Sequence, residues 1–480
     1  MNAAAHVHLS PIFVGLLTLA CLSTPACGFT IRDESKPLGP PGLGQGATGG
    51  GTNHGDDNDG GDDGGDDGGD DDGGGDDDDD DDGDDDDASG PGQKFDIGTI
   101  PQGNPPSDAY EFSLIWIANS PEGTVSKIDT RQVVELARYR TGPGTPDPSR
   151  TSVSLNGAVA VGNRAGSVTK ITGDIDECID QNGDGEIRTS QGPTDILPWG
   201  EDECILWHQD LPFSGTGAPN QGGPRALAWD GGSQPDSDDD DDDDDEVDDS
   251  KLWIGWGSQP PGKAIIRRVD GETGEQDFQV EVDNWSGEWG HGTYGGAVDG
   301  ERNFWALGTR GIIIKVDAVT EEVTRWDSTV THTVLYGIAM DAAGTPWFGG
   351  WLGDLWHFDP SSGQFENVGK MGTPNVFRGL AIDRNGHAWI AGNDPCGLVQ
   401  YDIDQATVIN ANVLLPGCFR PVGVSIDADG AVWVVDQEAH RAYKVDPSDY
   451  SVETVENLVS PYTYSDMTGA ALGLVQPPAE

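Results

Sequence analysis

Residues 180–187 read Asp-Gln-Asn-Gly-Asp-Gly-Glu-Ile, with an oxygen-bearing side chain at every second position. Asp180, Asn182, Asp184 and Glu186 fall where a loop of the EF-hand type presents ligands to Ca²⁺, and Gly185 supplies the sharp turn. The twelfth position is Gln191, not the bidentate Glu of such loops. Asp174, Asp176, Asp195 or the stretch Glu201 to Glu203 could supply the missing ligand. We expect a structural Ca²⁺ here; the plainer reading is an acidic turn without metal. Further along, His291 and His332 could act as bases, with Asp436 or a metal as electrophilic help. Arg225, Tyr294, Tyr336, Arg378, Arg420 and Trp351 are the side chains suited to hold an anionic, sugar or peptide ligand. A given loop His is more often an ordinary surface residue, and Tyr and Trp often only cap a packed interface. No Gly-x-Ser-x-Gly, His-Glu-x-x-His or phosphate loop occurs.

The chain that must position these groups has 480 residues, 26 Lys plus Arg against 85 Asp plus Glu, and a net charge of −59. Two runs, 21 Asp within 56–87 and 12 acids within 236–249, leave 52 acids elsewhere, still twice the bases. Nucleic-acid binding needs a basic footprint, so this charge argues against it, and against direct docking on anionic lipid likewise. The 71 Gly argue against a helical bundle, while 15 Trp require a packed core.

Ile12 to Leu22 is an apolar run of 11 residues, the length of a signal-peptide core and too short to span a bilayer. Thr24-Pro25-Ala26 precede Cys27, as in a bacterial lipoprotein signal. The expectation is a signal peptide over 1–26 and a lipid on Cys27, with plain secretion as the alternative. Either way the chain is exported, to a bacterial cell envelope or beyond it, and meets a membrane only through that lipid. Residues 27–92, rich in Gly and Asp, cannot bury enough apolar surface to order themselves and read as an extended, disordered tether.

From there a pattern recurs. Arg378-Gly-Leu-Ala-Ile-Asp383, Gly386, Trp389-Ile-Ala-Gly392 and Leu398-Val-Gln-Tyr-Asp402 form the clearest of seven copies. The Trp spacing is 42 from Trp305 to Trp347, 42 to Trp389 and 44 to Trp433. Short alternating strands at a period of 40–45 residues signal a propeller. The fold class expected is all-β: a seven-bladed β-propeller over 93–476, with inserts at 172–203 and 231–250. The first copy lacks a leading strand, and 467–475 has the small-residue composition to supply it and close the ring. Four cysteines lie beyond the signal, and an even number in an exported domain implies disulfides. Of three connectivities, Cys178–Cys204 and Cys396–Cys418 is preferred: the first brackets the blade-two insert, the second joins same-face loops of adjacent blades. The absence of Cys-x-x-Cys argues against zinc.

The Gly-Ile-Ala-x-Asp, Gly, Trp-hydrophobic repeat resembles the streptogramin (virginiamycin B) lyase-like and NHL-type propellers, over about 380 of the residues. The lyases repeat Trp-Phe-Thr-Glu; here the position three after the Trp is acidic only at Asp436. The resemblance therefore implies the scaffold, and two functions stand side by side. The leading one is a monomeric, surface-anchored binding or interaction module for a glycan, peptide or protein. The alternative is a lyase-like enzyme with its site at the channel mouth.

Overall fold

The structure, a computed structural model, describes residues 113–476 except 213–221, 233–248, 259–260, 286–290, 328–329, 331–332 and 373–375. The signal segment, Cys27, the tether and His332 lie outside the described residues. Seven antiparallel meanders follow one another. Blade one has three strands, β1–β3, within 114–140; the others have four each: β4–β7 (148–210), β8–β11 (226–283), β12–β15 (295–327), β16–β19 (335–370), β20–β23 (377–413) and β24–β27 (421–455). The inner strands stand side by side around a central channel. The chain is thus the seven-bladed propeller that the repeat predicts. Among the described residues no helix is long and apolar enough to cross a membrane.

The repeat has a physical reason for each fixed residue. The Asp that ends an inner strand accepts from the indole Nε1 six residues on: Asp299 from Trp305 at 2.8 Å, Asp341 from Trp347 at 2.9 Å, Asp383 from Trp389 at 2.8 Å and Asp427 from Trp433 at 2.9 Å. Its other oxygen accepts backbone N–H groups of the intervening turn, as Asp427 does from Asp429 and Ala431. Each carboxylate therefore satisfies a buried indole and a tight turn at once. Blade three breaks the spacing with its insert, and blade one has no leading Asp in sequence. Accordingly Trp253 and Trp116 are the repeat tryptophans whose Nε1 has no hydrogen-bond partner among the described residues.

A second device locks blade to blade. The residue paired across the sheet with the Trp position is often a cation, and it donates to a carbonyl in the next blade's outer turn. Lys127 reaches Gly173 at 2.6 Å, Lys170 reaches Gly271 at 3.0 Å, Arg268 reaches Ala318 at 2.7 Å and Lys444 reaches Thr130 at 2.8 Å. The last of these crosses the ring closure.

Closure itself differs in detail from the sequence expectation. Residues 461–467, not 467–475, run beside β1 (Leu114–Asn119). Tyr462 N donates to Ala118 O, Trp116 N to Met467 O and Ala118 N to Thr463 Oγ1, each at 2.9 Å, and Asn119 bridges Pro461. Ala470–Val475 instead forms a helix, α1, with Leu472 and Val475 buried at the channel floor. Ala and Leu favour helix, and Asp466 anchors its entry by accepting from Thr468 N and Gly469 N. Gly/Ala-rich composition suits a crowded inner strand and a short helix equally, so composition misplaced the strand. The close fit is visible at Gly423, where a Cβ would collide with the carbonyl oxygen of Thr463.

Both preferred disulfides are formed, Cys178–Cys204 with Cα atoms 4.3 Å apart and Cys396–Cys418 with 5.9 Å.

Candidate functional site

The channel mouth lies at the end where inner strands begin. β-Bulges interrupt the ladder there, between Tyr336 and Ala339, Phe377 and Leu380, Pro421 and Gly423, and Pro148 and Arg150. A bulge bends its strand and re-aims the neighbouring side chain. The result is a cluster of tyrosines and arginines. Tyr336 and Tyr464 ring centroids are 4.6 Å apart, Tyr294 and Tyr336 5.2 Å, and Tyr462 and Tyr464 5.4 Å. The Tyr336 and Tyr462 hydroxyls share a hydrogen bond, and Arg378 Nη1 donates to Tyr336 Oη at 3.2 Å. The Arg378 guanidinium also lies 4.8 Å from the Trp351 ring and donates from Nε to Asn393 Oδ1 at 2.6 Å.

Arg150 is the centre of this cluster. Its guanidinium sits 3.3 Å from the Tyr464 ring centroid, a cation–π contact. It donates to the carbonyls of Ser149 at 2.7 Å, Arg225 at 3.1 Å and Tyr294 at 3.2 Å. It is 1% exposed and makes no ion pair with any described residue. Burial, with Arg225 nearby, pulls its pKa down to about 9, against the partial help of Tyr294. Burial lowers Arg225 as well and raises the Tyr294 hydroxyl. Tyr464 Oη, 4% exposed, has no hydrogen-bond partner among the described residues.

Of the six ligand-binding candidates, Arg225, Tyr294, Tyr336 and Arg378 meet in this cluster, and each is almost wholly buried. They floor the mouth. Trp351 and His291, both half-buried, are the candidates with surface to offer, and the His291 ring stands 5.3 Å from that of Tyr294. Arg420 is apart from them, paired with Glu438 at 2.5 Å. Asp436, fully buried, accepts from the backbone N–H groups of Phe419 at 2.7 Å, Arg420 at 2.9 Å and Ala439 at 2.9 Å. Those bonds pin the loop that carries Cys418. Asp436 also comes close to the sulfurs of Cys396 and Cys418, which are bonded to each other.

Sequence reasoning missed Arg150, Tyr462, Tyr464 and Arg164, whose guanidinium lies 5.3 Å from the Tyr462 ring. Tyr-x-Tyr just ahead of the closing segment was a usable signal; Arg150, displaced by a bulge, had none.

In the blade-two insert, between β6 (Ser167–Ile171) and β7 (Ile205–Asp210), the acidic loop folds on its own backbone. Asp180 accepts from Gly183 N at 2.6 Å and Gly185 N at 2.9 Å, which, Gly185 foremost, holds its carboxyl below the usual range. Asn182 accepts from Asp184 N and Asp184 from Glu186 N, both at 2.9 Å. Glu186 is exposed. Glu203, buried, accepts from Gln181 N at 3.1 Å and Arg188 N at 2.7 Å, tying the loop to the disulfide.

No protein-family model and no curated protein matches the chain. Solved structures similar to it include a virginiamycin B lyase from Staphylococcus aureus, at 12% identity over 67% of this chain and 89% of that one, TM-score 0.46. A streptogramin B lyase structure is 12% identical over 68% and 87%, TM-score 0.47. A protein of unknown function from Bacteroides caccae is 11% identical over 62% and 92%, TM-score 0.39. The assignment of the fold rests on the seven sheets of the chain itself.

Proposed function

We propose that the protein is an exported binding module that takes an anionic group of its ligand at the channel mouth. The observation that carries this reading is Arg150: a buried cation without an ion pair among the described residues, beside Arg225, with Arg378 on the Tyr336 of the same cluster, in a chain of net charge −59. Buried charge in a low-dielectric setting projects its field to the nearest surface, and here that surface is the rim formed by Trp351 and His291. A lipid on Cys27 and the Gly/Asp tether would carry the propeller away from a membrane. Palmitate should label the protein in a bacterial host and fail to label Cys27→Ser; equal labelling of both would remove the anchor from this reading.

The binding test is a titration of the full chain with anionic and neutral peptides and glycans, alongside an assay for streptogramin ring-opening. Anionic compounds should bind and no turnover should follow. Arg378→Ala should weaken binding about 30-fold, the loss of a desolvated anchor of roughly 2 kcal/mol. Affinity unchanged in Arg378→Ala and Tyr336→Ala would refute a site at the mouth, and turnover abolished by His291→Ala would replace the binder by an enzyme.

The loop at Asp180 we propose to be a structural Ca²⁺ site, with Asp180, Asn182, Asp184 and Glu186 as ligands. Support comes from the alternating oxygens and from Glu203 and the Cys178–Cys204 bridge, which hold the loop in place. Ca²⁺ should then raise the melting temperature by mass action. Asp180→Ala with Asp184→Ala should cancel the rise, whereas deletion of 56–87 should not; the reverse pattern would assign the effect to the tether.

A further inference from the structure

The junction between blades four and five departs from the blade-to-blade bridging seen elsewhere. Lys315 in β14 (Ile312–Val316) pairs with Trp305 in β13 (Phe304–Leu307), the same register as Lys127, Lys170, Arg268 and Lys444 in their blades. Each of those four donates to a carbonyl of the following blade. Lys315 does not: its Nζ is drawn toward its own blade, 4.0 Å from Asp299 and 3.9 Å from Glu301. It makes no hydrogen bond with any described residue. By analogy its target would be the residue after Asp359, which is Pro360. Between Lys315 and Pro360 lies a cavity of about 530 Å³, also lined by Trp305, Thr324, Trp326 and Glu322. That is the size of a small-ligand pocket. At the blade-six junction, by contrast, Tyr450 of the next blade hydrogen-bonds Gln400 at 2.8 Å and packs on Trp389.

We propose that this cavity binds a neutral saccharide. Trp326 is half-buried and held as a fixed platform. Its ring stacks parallel to Trp305, with centroids 5.7 Å apart and an angle of 6°, and meets Phe358 edge-on. A Cβ at Gly363 would approach Trp326 Cδ1 at 2.9 Å and Nε1 at 3.3 Å, so the neighbouring turn packs against the pyrrole end of the indole and fixes it. A flat aromatic face of this kind suits the C–H face of a pyranose. The polar lining is mixed: Lys315 offers donors, and Asp299, Glu301, Asp317 and Glu322 offer acceptors. A sugar hydroxyl is both donor and acceptor and satisfies both kinds. An anion meets four carboxylates; a cation would have to displace the Lys315 ammonium from Asp299 and Glu301, and the spermidine titration separates it from a sugar. The site lies on turns between inner and second strands and between third and outer strands, the end opposite the mouth, so it does not rest on the reading given above.

The test uses the full chain on a glycan array carrying neutral, sialylated and sulfated glycans, with spermidine titrated separately by tryptophan fluorescence. Neutral glycans should bind. Lys315→Met and Glu322→Gln should each weaken binding at least 10-fold. Thr324→Trp, which fills the cavity from an exposed position, should abolish it with an unchanged melt. Trp326→Ala should abolish it too; should that variant fail to fold, the other three decide. Arg378→Ala, at the opposite end, should leave the affinity within 2-fold. The proposal is overturned by the absence of any neutral glycan among the bound set, by binding that survives Lys315→Met and Thr324→Trp, by a preference for sulfated glycans or spermidine, or by a loss in Arg378→Ala as large as that in Lys315→Met.

Discussion

Deletion of residues 461–476 is expected to abolish folding of the ring. The deleted stretch supplies Met467 O to Trp116 N and Thr463 Oγ1 to Ala118 N, and its Tyr462 N donates to Ala118 O. Without it β1 becomes an open edge, ready to pair with another chain. The loss extends beyond the edge. Tyr462, Tyr464, Met467 and Leu472 are all buried, and removing each uncovers roughly 2 kcal/mol of apolar burial. The sum is comparable to the whole stability of an ordinary domain. We expect aggregation on expression, read by size-exclusion chromatography and near-ultraviolet circular dichroism. A truncated protein that stays monomeric with an unaltered cooperative melt would contradict this account of closure.

The second large effect belongs to one repeat carboxylate. Asp427→Ala strands the Trp433 indole N–H and the Ala431 and Asp429 amides, all served by Asp427. An unsatisfied buried donor costs about 1–3 kcal/mol, so a loss of about 3 kcal/mol or more is expected in urea melts. Burial pushes the Asp427 carboxyl up from its ordinary value, against the Trp433 hydrogen bond and the charge of Lys444. Asp427→Asn keeps one acceptor oxygen and replaces the other by an NH2 donor, so either the Trp433 indole N–H or the turn amides lose their partner; the loss should be about 1–3 kcal/mol, smaller than in Asp427→Ala. Equal losses in the two variants would mean that one remaining acceptor does not hold the turn, and that both oxygens, or the charge facing Lys444 at 3.9 Å, are required.

These carboxylates also show why the fold was so legible. The Trp period, the Asp-x-x-Gly turns and the cysteine positions each depend on local geometry that repeats, and they led to seven blades and to both disulfides. The closing strand was misplaced because 467–475 and a genuine inner strand share Gly, Ala and Leu; the choice is made by Asp466, which starts a helix. The mouth was half legible. Tyr294, Tyr336, Arg225 and Arg378 could be placed there by their rank in the repeat. That they would be buried, with Arg150 beneath Tyr464, depends on bulges and on contacts between residues as far apart as 150 and 464. The cavity at Lys315 was invisible, because its distinguishing feature is a bond that Lys315 does not make.

The carboxylates at fixed positions of the repeat are fastened to turns. A regular blade uses one at its inner turn, such as Asp341 or Asp383, and one at its outer turn, such as Asp359 or Asp402. Part of the acidity outside the two Asp runs is therefore required by the architecture itself. The pI of 4.1 would stay low whatever the ring binds. Duplication of a blade would shift an ion-exchange elution further toward the acidic side, and a basic variant of this scaffold would need new lysines on its outer strands, because the turn aspartates could not be given up.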